Sequence, residues 1–375
     1  MGMNKVAEIF SPGDFLSEEL EARDWSQIEF AEIIGRPTTL VSGIITGKKQ
    51  ITPDTAIQLG DALGTGAELW MNLESQYQLS KVKEVSNSVA RKAKLYEKFP
   101  VRDMIKRGWI EATNNIEVLE QQFIRFFNIP NLDASPSLSH AAKKTNALDA
   151  ITYKQLAWLY RAKQLASSQV TKKYDATALK NALPKLSALL AAAEETRHVT
   201  KILAECGVKY VIVEPFTGSK IDGACFWLDE SQPVVALSLR LDRIDIFWFV
   251  LRHEIEHVLQ GHGKEAGYIL DSDSETRNLE VVAEEEKIAN LAGDDFCVPK
   301  NELDNFYARV YPLFSEQKVS LFAQRLGIHM GIVVGQLQKR LDRHEFLRGK
   351  GYQVKISPYA TIGALVDGWG FIETK

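Results

Sequence analysis

The sequence predicts a mostly α-helical α+β protein, and three observations carry that expectation. Residues 11 to about 80 alternate short helical patterns with glycine and proline punctuation. Only three runs, 208–215, 223–228 and 233–240, have the character of strands. The stretch 244–259 repeats apolar residues at helical spacing while carrying two histidines on another face. The expected architecture is an N-terminal five-helix unit followed by a body with long helices and a small sheet of about three strands.

With 375 residues the chain is long enough for two or three domains, and at 45% hydrophobic and 25% charged residues it has an ordinary globular composition. The expected divisions are 1–80, a helical connector and linker over 81–150, a body over 151–300 and a helical C-terminal region over 301–375. The polar stretch 131–146 is the linker candidate. Cys206, Cys225 and Cys297 are too few, and too widely spaced, for a disulfide framework or a thiolate zinc site. Buried free thiols are expected. Residues 1–10 lack the pattern of a signal peptide, and the apolar run 244–251 is broken by Asp245 and too short for a bilayer. A soluble, cytoplasmic protein with no membrane partner is the expectation.

A net charge of −4 is too mild to mark the whole chain as a nucleic-acid binder. Local charge is less even. Residues 1–80 hold five basic residues against twelve acidic ones, and 81–107 hold nine basic against three acidic. Lys81, Lys83, Arg91, Lys92 and Lys94 are therefore candidates for extra phosphate contacts.

Residues 24–50 read as two short helices joined by a tight turn. Ser26 and Glu29 have capping-box spacing, and Ile28, Ala31, Ile33 and Ile34 are expected to form the buried face of the first helix. Gly35 suits the turn and Pro37 the entry to a second helix over 38–45, stopped at Gly47. Leu40, Val41 and Ile44 would face inward, leaving Thr38, Thr39 and Ser42 outward with hydroxyls suited to base edges and phosphates. No acid lies between Ile33 and Pro53, whereas Arg36, Lys48 and Lys49 do, so the outward edge is basic. With Gln27, these make the candidate DNA-contact set Gln27, Arg36, Thr38, Thr39, Ser42, Lys48 and Lys49.

The segments Ser11-Pro12-Gly13-Asp14-Phe15-Leu16, Trp25-Ser26-Gln27, the run from Gly47 through Ala56, Leu63-Gly64-Thr65 and Leu69-Trp70-Met71-Asn72-Leu73 resemble the HigA antitoxin family, within the XRE-type repressors. The resemblance covers residues 11–79. It implies a homodimeric operator-DNA-binding unit, with the 38–45 helix in the major groove and a cognate toxin as a partner class. Gly43 departs from relatives that often carry a basic residue there.

The strongest chemical signal is His253-Glu254-Ile255-Glu256-His257. Four residues advance a helix by about 400°, so the two imidazoles project about 40° apart and reach one metal. Glu254 borders that site as a general base. A third ligand is needed, and His262 is badly placed, about 140° around from His257 if the helix persists. The acidic helix expected over 280–292 offers Glu286, with Glu285 as competitor and Asn290 one turn beyond Glu286. Ala289 and Gly293 on the same face permit close approach to the histidine helix.

The segment from Phe247 through His257, the run Glu286-Lys287-Ile288-Ala289-Asn290 and the downstream Pro299 resemble the ImmA/IrrE metallopeptidase family. Phe99 through Met104, Gly108-Trp109, Ile221 through Ala224 and Gly327 through Gln338 extend the likeness over most of 95–340. The resemblance implies a zincin-like peptidase domain with Glu286 as third ligand and a protein substrate, either a repressor or the chain itself. Asn290 would orient Glu286 or His257 from behind. Zinc is the expected metal, with manganese or iron also accepted by such a donor set. The strand at 233–239 is expected to offer its edge to an extended substrate, whereas no oxyanion donor is assigned and Tyr268, His262 and Arg240 are only candidates.

Overall fold

The computed structural model describes residues 10–81, 87–134, 151–264, 268–272, 284–347 and 352–369. It divides into two compact units, Met1–Arg91 and Lys92–Lys375. The linker candidate lies outside the described residues from 135 onward, as does Lys83.

Among the described residues 10–81 of the first unit there are five helices: α1 (Pro12–Glu21), α2 (Gln27–Ile33), α3 (Thr38–Ile45), α4 (Pro53–Leu63) and α5 (Ala67–Lys81). Their starts are written locally. Ser11 with Asp14 and Ser26 with Glu29 form reciprocal capping boxes, and the Thr52 side chain caps α4. Leu16, Phe30, Val41, Ile44, Leu59 and Trp70 meet in the core. The α2 face differs from expectation: Phe30, Ala31 and Ile34 are buried, whereas Ile28 and Ile33 are 62% and 51% exposed. At 3.6 residues per turn, positions 30, 31 and 34 share a side that 28 and 33 flank.

The second unit is built on a five-stranded mixed sheet rather than one of about three strands. Its strands are β1 (Lys209–Val213), β2 (Ile221–Trp227), β3 (Pro233–Leu237), β4 (Tyr268–Ser272) and β5 (Leu365–Asp367), in the order β4-β2-β3-β1-β5. β1 runs parallel to β3 and β5, and β2 antiparallel to β3 and β4. β3 is therefore paired on both sides and has no edge to offer a substrate, which corrects that expectation. Its five buried residues suit a central position.

The sheet separates two cores. On one side lie α7 (Val101–Lys106), α8 (Ile116–Phe127) and α9 (Tyr153–Ser168), which pack Phe123, Phe127, Trp158 and Leu159 against Val211, Ala224, Phe226 and Val234. Residues expected to serve as a connector thus form part of a layer over the sheet. On the other side α10 (Ala176–Ser187), α11 (Val199–Glu205) and α12 (Ile244–Gln260) share a core with α13 (Glu284–Cys297), α14 (Lys300–Val310), α15 (Glu316–Leu326) and α16 (Met330–Leu341). A further helix, α6 (Ser88–Lys98), spans the boundary between the units, and α17 (Ser357–Ala360) precedes β5. The three cysteines are free and buried.

One irregularity in β2 positions the site. Ile221 pairs with Ser272 while Gly223 pairs with Asp271, so a bulge falls at Asp222. It switches the alternation of the strand. Ile221, Ala224 and Phe226 face the α8–α9 core, whereas Cys225 and Trp227 face the α12 core.

Candidate metal centre

Helix α12 carries its chemistry opposite its packing stripe. Ile244, Phe247, Trp248, Leu251, Ile255 and Val258 are buried in the core, and His253, Glu254 and His257 are fully buried as well. Burying two imidazoles and a carboxylate in this way is costly unless other groups compensate. Helix α13 lies alongside α12. Ala289 and Gly293 are its buried contact positions, and a Cβ on Gly293 would stand 3.0 Å from the Phe249 ring. The helix extends past position 292 to Cys297, and 280–283 lie outside the described residues.

This close approach brings Glu286 to the histidines. His253 Nε2 and His257 Nε2 face each other at 3.0 Å, and the Glu286 carboxylate stands 3.6 Å from the first and 3.7 Å from the second. Tetrahedral donors held about 2.0–2.2 Å from zinc lie about 3.4 Å apart. The three separations straddle that value, and two imidazoles with one carboxylate are a donor set zinc accepts, so the residues fit the metal. Among the described residues this is the one such cluster. Glu285 is exposed, and Asn290 is half-buried one turn beyond Glu286.

Glu254 lies beneath the bulged strand. A Cβ on Gly223 would stand 2.6 Å from Glu254 Oε1, so only glycine leaves room for the carboxylate there. Cys225 follows on the same face, its thiol pushed well up by burial and by the nearby Glu254.

His262, set aside from the sequence as a third ligand and kept there as an oxyanion candidate, stands outside the donor cluster. Helix α12 stops at Gly261 in the left-handed region (φ 73°), so the angle projected along a continuing helix does not apply. The chain folds back and His262 Nδ1 lies 2.9 Å from His257 Nδ1, on the side away from the other donors. The usable signal was the glycine at 261, a helix-stopping residue. Arg240, one of the oxyanion candidates, forms a two-pronged ion pair with Asp222 at 2.8 and 3.0 Å. The Tyr268 side chain lies outside the described residues. His329 caps α16, accepting from Gly331 N at 3.0 Å, remote in role from the cluster.

In the first unit α3 presents Thr38 and Thr39 exposed and Ser42 half-buried, with Lys48 and Lys49 exposed in the turn that follows. Gln27 is exposed at the start of α2. Arg36 Nε donates to Gln58 Oε1 at 2.7 Å, which ties it to α4. Two short helices joined by a tight turn, the second exposing its polar side, define a helix-turn-helix module.

The helix-turn-helix family model matches residues 16–70, from within α1 into α5. The chain is 31% identical over 80 residues to the HTH-type transcriptional regulator YddM of Escherichia coli strain K12, a match covering 21% of this chain and 85% of that protein. Through this N-terminal unit the chain belongs to the helix-turn-helix family of transcriptional regulators. Similar solved structures include an addiction module antidote protein of the HigA family from Coxiella burnetii, 30% identical, covering 28% of this chain and 98% of that one at a TM-score of 0.19. Another is the Pseudomonas aeruginosa antitoxin HigA with the higBA promoter, 29% identical, covering 25% and 99% at a TM-score of 0.20. Among the described residues no helix is long and apolar enough to cross a membrane.

Proposed function

We propose that this chain is a DNA-binding regulator whose second unit is a zinc-dependent endopeptidase acting on a regulatory protein. The observation that carries the peptidase reading is the convergence of His253, His257 and Glu286 on one point, with Glu254 buried beside them. A zinc ion held there supplies Lewis-acid polarisation of a peptide carbonyl and acidification of water. The protein's own residues do the rest. His253 and His257 offer Nε2 from one helix face and Glu286 closes the set from α13. Glu254 takes a proton from the attacking water at its carboxylate and returns it to the leaving amine nitrogen. The substrate class implied by the residue-level resemblance is a repressor, or the chain itself. On the DNA side, α3 enters the major groove of an operator, with Thr38, Thr39 and Ser42 towards the bases and Lys48 and Lys49 towards phosphates. A homodimer and a cognate toxin complete the set of partners.

The complete burial of His253, Glu254 and His257 favours a second reading, a non-proteolytic antitoxin or repressor in which the metal is structural or sensory. The variant Glu254→Gln separates the two. Under the peptidase reading it keeps zinc and DNA binding and loses cleavage of the substrate, a repressor or the chain itself. Equal cleavage by variant and wild type removes Glu254 from the chemistry, and no cleavage by zinc-loaded wild type favours the second reading.

A further inference from the structure

We propose that His262 is a positioning residue for the metal centre: it fixes the His257 imidazole in the tautomer and ring plane that turn Nε2 towards the metal. This rests on the metal-centre reading above. Two facing Nδ1 atoms at 2.9 Å require one donor and one acceptor. With Nε2 of His257 given to the metal, its proton sits on Nδ1 and His262 Nδ1 accepts it.

The geometry is built rather than casual. Gly261 and Gly263 both take the left-handed region (φ 73° and 82°), and His262 N donates to His257 O at 2.9 Å, so the backbone itself returns to the ligand. The His262 carbonyl is then held from β2, where Trp227 Nε1 donates at 2.9 Å and Cys225 Sγ at 3.9 Å. Trp227 is in turn fixed by the edge of Tyr174 at 5.4 Å and by the Lys264 ammonium 4.2 Å from its ring centre. Tyr174 donates to Val258 O at 3.3 Å, and burial pushes its hydroxyl up to about 12, which keeps it a donor. A strand and a helix end thus hold one imidazole against the outward nitrogen of His257. Partners of this kind orient metal-binding histidines, and losing one costs roughly 10–100-fold in metal affinity.

The test is zinc affinity of the full-length protein, measured by competition with a chelator, together with circular dichroism of the metal-free form. His262→Leu fills the space without an acceptor and is expected to weaken zinc by roughly 10–100-fold. His262→Asn sets an amide oxygen where Nδ1 stood and is expected to recover most of that loss. Trp227→Phe removes the donor to the His262 carbonyl and should fall between them, which keeps the test decisive if the leucine variant does not fold. Leucine and wild type binding alike, or asparagine losing as much as leucine, overturns the proposal. A folded wild type that takes up no zinc overturns the metal-centre reading itself, and this one with it.

Discussion

Gly223 and Glu254 approach so closely that no side chain fits between them: a Cβ on Gly223 would lie 2.6 Å from Glu254 Oε1 and 2.8 Å from Val250 Cγ1. Both residues are held, Gly223 by its bulged strand between β3 and β4 and Glu254 by the middle of α12. Gly223→Ala is therefore expected to push the Glu254 carboxylate aside while leaving His253 and His257 on their own face. Misplacing a reacting group by about 1 Å can cost on the order of 100-fold. Peptide turnover should drop by about that factor while zinc stoichiometry stays at the wild-type level. Parallel loss of zinc and turnover would mean that the glycine protects the whole centre, not the carboxylate.

Glu285 and Glu286 are neighbours in sequence and opposites in placement. Glu286 reaches both imidazoles from a largely buried position, and Glu285 is exposed. Glu286→Ala should weaken zinc by more than the roughly 10–100-fold expected for an outer partner. Glu285→Ala should leave affinity unchanged. A chelator titration of both variants decides it, and equal effects would show that α13 contributes charge rather than a ligand.

What the sequence disclosed, and what it did not, divides by range. The capping box at Ser26, the α3 span and the pairing of His253 with His257 are all written locally, within about two helical turns, where helix geometry alone sets the outcome. Placing Glu286 beside them needed one long-range step: Ala289 and Gly293 signalled that the two helices could close together, and the choice of Glu286 over Glu285 came from the family resemblance. The sheet was less legible. β5 is three residues long and joins β1 from 152 positions away, counted from Val213 to Leu365, so no local pattern announces it. β3 looked like an available edge because its apolar run cannot say how many neighbours it has. His262 stays outside the donor cluster, but its approach to His257 Nδ1 was not legible, because a helical projection does not carry through Gly261, where the backbone turns.

The start of α2 is sensitive to acid. Ser26 N donates to the Glu29 carboxylate at 2.8 Å, and Glu29 N donates to Ser26 Oγ at 3.2 Å. The Ser26 backbone N–H, and after it the Ser26 side chain, hold the Glu29 carboxylate below its ordinary value of 4.5. A carboxylate depressed in the folded state stabilises fully above its unfolded pKa, and that contribution is lost as pH falls through the folded value. Hydrogen exchange at the α2 amides should therefore accelerate, relative to α4, as pH drops below about 4.5. In Glu29→Gln the acid-dependent part should vanish, because the side chain no longer titrates. An unchanged acid limb in that variant would assign it to another group.

Helix α3 carries no cation of its own, and the turn after it supplies two, Lys48 and Lys49. Lys48 N and Lys49 N both donate to Gly43 O, at 2.8 and 2.9 Å, which folds the turn back on the helix. The Lys49 stem then covers Gly43: a Cβ there would meet Lys49 Cγ at 2.9 Å and Cδ at 3.1 Å. Lys49 thus occupies the ground a longer residue at 43 would take, and it is exposed. On a mixed-sequence duplex, Lys49→Ala should weaken binding uniformly and reduce the slope of log affinity against log salt by about 1. Gly43→Ala should act in the same direction but less, since it displaces the stem without removing the charge. Gly43→Lys in the Lys49→Ala background should restore the slope, because truncating Lys49 opens the space that its stem filled. A salt slope identical in wild type and Lys49→Ala places Lys49 outside the DNA interface, and the covering of Gly43 is then packing alone.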